Sequence, residues 1–372
     1  MIIKVKASEL REAVSKIITV VDKKNSRPIL SYCLLTVQDN KLVFSATDLE
    51  VSVKVIVNAN TDGQINICIN AKNIADILKE MPDEEIILEA NEENNILELR
   101  YQDIKYSLLI CKSDEFPQLV FDNGLNEFQL NSSIVSDVIT KTSHAISTDE
   151  TRLYLNGIYM QMTDSKLRCV ATDSHRLALV DIQDFQPNEN QSLLDGIIIP
   201  KKGVFELKKL ADSFSGEKIK LSVDESFLYV SSGDKYFLSI RLIAREYPKY
   251  QAVIPSKTTQ RMDVDKQAFL TAIKRVKILA NEKSNSVKLA LKANELTISA
   301  NHPTLGDATE KIKVDYSGSD LNIGFNAKYL IDTFSIFQDS HVSLEFNNEL
   351  SPVVIKNQNL PEFLGIVMPM KL

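Results

Sequence analysis

Glycine is scarce, with 11 in 372 residues. Glycine-rich phosphate cradles need several glycines close together, and neither G-x-x-x-x-G-K-[ST] nor G-x-G-x-x-G occurs. The H-E-x-x-H and G-x-S-x-G patterns are missing too. Cysteine is equally sparse. Cys33, Cys68, Cys111 and Cys169 stand far apart with no C-x-x-C pair, which excludes a disulfide scaffold and zinc-ribbon spacing. Four histidines leave little for a multi-histidine metal centre. No run of about 18 apolar residues exists, so no transmembrane helix and no membrane partner are expected. The opening MIIKVKASELREAV lacks the long apolar stretch of an export signal. These absences lead us to expect a reducing cytoplasm, no metal and no cofactor.

What the chain has is repetition. KLVFSATD (41–48) recurs as KLRCVATD (166–173) and, more weakly, as ELTISANH (295–302). In each copy a period-two strand pattern runs into Ala-Thr or Ala-Asn. The alanines Ala46, Ala171 and Ala300 lie 125 and 129 residues apart. Amphipathic helices open the units, marked by Leu10, Val14, Ile17 and Val21, by Val135, Val138 and Ile139, and by Phe269, Ile273, Val276 and Ala280. Asp265 is a candidate N-cap of the third. A second helix begins near Ala71, Lys201 and Ala327, at intervals of 130 and 126 residues. Three landmarks in the same order predict three domains: 1–125, 126–255 and 256–372. Closely spaced strands such as IILEA, ILELRY and KYSLLI favour an α+β fold, each domain packing two helices on antiparallel sheets. Like units joined in one chain often build a curved array with a repeated face. A triplicated scaffold of purely structural use fits the same pattern.

Charge divides unevenly. The net charge is -7, yet the six candidate helices (8–24, 72–79, 132–147, 201–212, 265–283 and 328–338) together carry +7, leaving -14 elsewhere. Basic helices on an acidic protein suit a surface that faces phosphates. Lysine is also a good helix former on solvated faces, which accounts for part of the excess.

No catalytic constellation stands out. Asp48 and Asp173 recur at equivalent positions, where Asp most simply serves as a turn or capping residue. An acid–base pair of Asp173 and His175 has only Ser174 nearby as a nucleophile. The ending GIVMPMKL is apolar to the last residue, unlike a frayed terminus. Ile366 to Met370 should form a final strand, and methionine and proline at its end suit an adaptable groove for a partner peptide.

YLNGIYM (154–160), VATDSHRLAL (170–179), IIPKKGVFEL (198–207), YPKYQAVIP (247–255), LANEK (279–283) and VMPMKL (367–372) resemble the bacterial DNA polymerase III beta subunit family, the sliding clamps. The resemblance covers the whole chain. It implies a ring of two chains joined head to tail, six similar domains around a hole lined by twelve helices. Such a ring encircles double-stranded DNA without sequence preference, tethers the replicative DNA polymerase, is handled by a clamp loader, serves other clamp-binding proteins, and catalyses nothing. By motif position, Lys24, Lys72, Lys79 and Lys202 would face DNA, and Asp149 stands where the family often has glutamine. A partner-peptide groove would comprise Tyr154, Leu155, Thr172, Ser174, His175, Arg176, Leu177, Pro248, Val253, Tyr329, Ile366, Met368, Pro369, Met370 and Leu372. Ser174 replaces a usual glycine, Ala252 an arginine of a relative, and Pro352 a serine, so groove shape and peptide preference are expected to differ. Tyr106 and Leu108 of one chain would meet Ile278 and Leu279 of the other.

Overall fold

The computed structural model describes residues 1–21, 27–122, 127–183, 185 and 191–371. Lys24 and Leu372, both named above, lie outside the described residues. The helices that open the repeats form where the pattern places them, but shorter. The first spans Ala7–Ile17 rather than 8–24, because Ile17, Ile18, Thr19, Val20 and Val21 make a β-branched run that loses rotamer freedom in a helix. The third repeat's helix spans Lys266–Val276, and a short 3-10 turn, Lys277–Leu279, follows it. Asp265 is its N-cap, accepting from the Ala268 N–H at 2.7 Å. Asn70 and Asn326 cap Ala71–Glu80 and Ala327–Phe334 in the same way. None of the described helices is long and apolar enough to cross a membrane.

Packing gathers the three repeats into two compact units. One comprises Met1–Ser136, Pro187–Ser192 and Lys202–Leu242. Its 13 strands form one antiparallel sheet, with Ala7–Ile17 and Ala71–Glu80 packed together against it. The other comprises Asp137–Gln186, Leu193–Lys201 and Ile243–Leu372. It holds an eight-stranded sheet and a four-stranded sheet.

The units cut across the repeats because strands are shared by a rule. In the first repeat Val51–Asn58, the strand after the Ala-Thr-Asp turn, pairs with Tyr236–Arg241, the last strand of the second repeat; Val55 lies opposite Tyr236. In the second repeat Arg176–Ile182 pairs with Phe363–Val367, the last strand of the third; Val180 lies opposite Phe363. Val55 stands nine residues after Ala46 and Val180 nine after Ala171, so both seams keep one register. The third repeat's counterpart, Gly306–Lys313, pairs only with Glu295–His302 and ends its sheet. The first repeat's last strand, Ile104–Lys112, pairs with Ile96–Tyr101 along residues 104–109 and with Ile65–Asn70 only at 110–112. Among the described residues, one flank of residues 104–109 therefore carries no strand. One seam's two halves remain unfilled.

Gly365, in the final strand, permits close approach of the helix Ala327–Phe334. A Cβ there would stand 2.5 Å from Thr333 Cγ2, on a side chain that is fully buried. We expect Gly365→Ala to lower stability by about 1–3 kcal/mol through overpacking, measured as a fall in the urea unfolding midpoint. An unchanged midpoint would contradict this seating of helix on strand.

Candidate functional site

The turn after Ala171 builds one wall of the groove. The Thr172 hydroxyl donates to the Arg176 carbonyl at 2.6 Å and accepts from the Ser174 N–H at 3.2 Å. Asp173 Oδ1 accepts from the N–H groups of His175 (2.9 Å) and Arg176 (3.0 Å). The first repeat repeats this geometry: Asp48 Oδ1 accepts from the N–H groups of Glu50 (3.0 Å) and Val51 (2.7 Å). The recurrent Asp is thus a turn-maker, as its position after a strand suggests. Ser174 sits at a φ of 76°, left-handed backbone that costs a non-glycine residue about 1–2 kcal/mol. Arg152 offsets part of this by donating to Ser174 Oγ at 2.9 Å, while its Nε holds Asp149 at 2.8 Å.

Arg176 ties this turn to a second wall, the helix Ala327–Phe334. Its side chain is only 8% exposed. Nε donates to Asp173 Oδ2 at 3.1 Å and Nη1 to Asp332 Oδ2 at 2.6 Å. The guanidinium lies 4.5 Å from the Tyr329 ring centroid, and the His175 ring stacks on Tyr329 at 6.1 Å. Two carboxylates and one aromatic face thus occupy the guanidinium, leaving it a positioning group rather than a handle for an incoming anion. Asp173 is committed to the turn and to Arg176, so it is not poised to orient a catalytic His175 ring.

Between these walls lies an apolar floor. Leu155, Leu177, Ile366, Val170, Tyr247 and Tyr250 belong to one buried cluster, with half-buried Tyr154 packed against it. Pro248, Ala252 and Val253 are exposed at its margin, and Met368, Pro369, Met370 and Pro352 are half-buried. The tail is held by backbone: the Met368 N–H donates to the His175 carbonyl and the Met370 N–H to the Gly324 carbonyl, each at 2.8 Å. The described groove residues therefore converge in one unit. Sequence reasoning missed Arg152, exposed Leu153 and Asp332. The first two directly precede the YLNG motif, and Asp332 stands one helical turn after Tyr329, so spacing was the available signal.

The basic face is weaker than composition suggests. Within the observed bounds, only Lys201–Ser213 and Lys266–Val276 retain a net positive charge. Lys72 and Lys79 share a single carboxylate, Asp76, at 3.7 and 3.6 Å. Lys202 is paired with Asp48. Tyr106 and Ile278 are exposed, the latter at 76%, while Leu108 and Leu279 are half-buried. Among the described residues no group of three or more His, Cys, Asp or Glu could hold a metal ion.

Burial, and next the nearby Arg176 charge, push the His144 imidazole down to about 4. The unfolded chain binds this proton near the ordinary histidine value, so between the two pH values it binds more protons than the folded one, and stability falls on acidification. Going from about pH 7 to about pH 5, we expect the protein to lose roughly 1–2 kcal/mol more than His144→Gln does, read from urea midpoints. Arg176→Ala, which strands two carboxylates, should cost about 3 kcal/mol. Arg176→Lys should recover little, because one ammonium cannot serve both carboxylates and the ring.

The comparisons with known proteins agree along the whole chain. Residues 1–120, 129–249 and 251–371 match the N-terminal, central and C-terminal domains of the DNA polymerase III beta subunit. A beta sliding clamp of Caulobacter vibrioides is 30% identical over 372 residues, covering 99% of each chain; one of Pseudomonas putida is 31% identical over 354 residues, covering 95% of each. The crystal structure of the DNA polymerase III subunit beta from Pseudomonas aeruginosa superposes with a TM-score of 0.94 at 27% identity over 100% of both chains. That of the beta subunit from Thermotoga maritima does so at 0.91 and 26%, again over 100% of both. Whole-length identity, three domain matches in order and one shared fold establish that the chain belongs to the DNA polymerase III beta subunit family, the non-catalytic sliding clamps of DNA replication.

Proposed function

We propose that two copies of this chain close head to tail into a ring around duplex DNA and tether the replicative polymerase through a short apolar peptide. The observation that carries this reading is the unfilled seam. Two seams within the chain place the residue nine after the repeat alanine opposite an aromatic, Val55 with Tyr236 and Val180 with Phe363. The third position of the series is Thr309, nine after Ala300, and the aromatic without such a partner is Tyr106. They lie at opposite ends of the sequence, so a second copy supplies the missing halves. Gly306–Lys313 of one protomer pairs with residues 104–109 of the other, Thr309 facing Tyr106. Ile278 and Leu279 then cover the apolar flank with Leu108. An open edge strand with exposed Leu109, at 77%, is otherwise an aggregation hazard.

On this reading the three domains, 1–125, 126–255 and 256–372, repeat once per protomer to give six, and the ring works in the cytoplasm. Enclosure removes the need for tight binding. Lys72 and Lys79, neutralised by half through Asp76, and Lys202, tied to Asp48, suit a face that touches phosphates without arresting on them. Lys24, outside the described residues, is assigned to the same role by motif position alone. The partner peptide lies over Leu155, Leu177 and Ile366, between Tyr154, Val253 and Pro248 and the tail residues Met368, Pro369 and Met370, with Thr172, Ser174, His175, Arg176 and Tyr329 shaping its end and Leu372 at the margin. Clamp loader and other clamp-binding proteins use the same groove. No cofactor takes part.

Three measurements test this. Sedimentation equilibrium should give a dimer at micromolar concentration, and Ile278→Glu should give a folded monomer. The dimer, once loaded, should stay on circular DNA and leave linear DNA from its ends. Met370→Ala should weaken binding of a labelled polymerase tail peptide at least about tenfold, or ~1.4 kcal/mol, while the dimer persists. A wild-type monomer, or unchanged peptide affinity, would overturn the corresponding part.

A further inference from the structure

Three of the four cysteines stand on neighbouring strands of the 13-stranded sheet: Cys33 in Tyr32–Gln38, Cys68 in Ile65–Asn70 and Cys111 in Ile104–Lys112. Cys68 and Cys111 are direct partners in register, flanked by the pairs Ile67 with Lys112 and Ile69 with Ile110. Period-two alternation puts Ile67, Ile69 and Ile110 on one face and both sulfurs on the other. Directly opposed residues of an antiparallel pair have Cα atoms about 4.5–5.5 Å apart. That lies inside the roughly 4.4–6.8 Å window in which a disulfide closes without moving the backbone. Tyr32 lines the same open cavity as Cys111, and its phenol pKa is raised first by burial and then by the nearby Cys111 and Cys68 thiols.

Access is asymmetric. Cys68 is fully buried, whereas Cys111 is exposed and lines an open cavity of about 710 Å³ together with Arg27, Pro28, Tyr32 and Lys112. A small oxidant reaches Cys111 from solvent and meets Cys68 only through it. Cys33 is buried and directed to the Ile69 carbonyl at 3.5 Å, which leaves it apart from this pair.

We propose that Cys68 and Cys111 form a peroxide-oxidisable dithiol that closes to a cross-strand disulfide. The Cys111 thiolate attacks hydrogen peroxide. The O–O bond breaks, the Cys111 proton ends on the departing hydroxide as water, and a sulfenic acid remains. Cys68 sulfur then attacks the sulfenic sulfur. The S–O bond breaks and the second hydroxide leaves as water with the Cys68 proton. Both sulfurs are oxidised, and one peroxide is reduced to two waters. The bond forms where only three residue pairs hold Ile104–Lys112 to Ile65–Asn70, so it anchors the strand whose residues 104–109 stay open. That anchoring bears on ring closure only under the reading above, whereas the chemistry does not depend on it.

The test uses the full chain and a few-fold excess of hydrogen peroxide. Thiol titration should fall by two per chain, and non-reducing peptide mapping should recover one species joining Cys68 to Cys111. Dithiothreitol should reverse both changes. Cys33→Ala and Cys169→Ala should still form the bond; Cys111→Ser should not. Cys68→Ala, if folded, should stop at a dimedone-reactive sulfenic acid on Cys111. A sulfinic or sulfonic acid on Cys111 with Cys68 still a free thiol, a disulfide between chains through Cys111, or no loss of thiols would each overturn the proposal. DNA retention of the same sample is read separately, so failure of the ring reading leaves the thiol result intact.

Discussion

An unpaired strand edge is a row of backbone donors and acceptors that must find partners or stay in water. The architecture of this chain follows from how its repeats dispose of such edges. Each repeat makes one strand after its Ala-Thr-Asp or Ala-Asn-His segment and one strand at its end, and neither is fully paired on both flanks inside the repeat. Val51–Asn58 takes Tyr236–Arg241 and Arg176–Ile182 takes Phe363–Val367. The same requirement left unmet at Gly306–Lys313 and at residues 104–109 is what a second chain satisfies on the proposed reading.

The groove depends on the same seam. Because Leu177 pairs with Ile366 across it, the strand after the turn and the final strand form one continuous floor. Arg176, next in register to the tail, is then enclosed by Asp173, Asp332 and Tyr329. A desolvated guanidinium between two carboxylates is a rigid spacer. On the proposed reading, what remains for a partner peptide is shape and apolar surface, with exposed Ser174 and His175 at the rim.

The repeats were legible because period-two strands and capping residues leave marks on a linear chain. Asp48 and Asp173 announced turns, and Asp265 announced a helix start. The tail residues Met368, Pro369 and Met370 were legible from the apolar ending itself, whereas Tyr154 and Arg176 were legible only through motif resemblance, since nothing along the chain joins them to the tail. Strand exchange between repeats was not legible. It depends on which of many similar edges pair, and hydrophobic alternation alone does not choose a partner. The true state of the lysines was hidden for a related reason. Asp76 lies one turn from Lys72 and could be counted, but Asp48 is 154 residues from Lys202, and no local pattern joins them.

Genetic repeat and physical module therefore do not coincide here. Cutting at a repeat boundary would strip Val51–Asn58 or Arg176–Ile182 of its neighbour and bare a hydrophobic flank. Such a fragment carries every residue of its own unit yet lacks the lid that the next unit supplies. Autonomy in this protein belongs to the seam rather than to the segment.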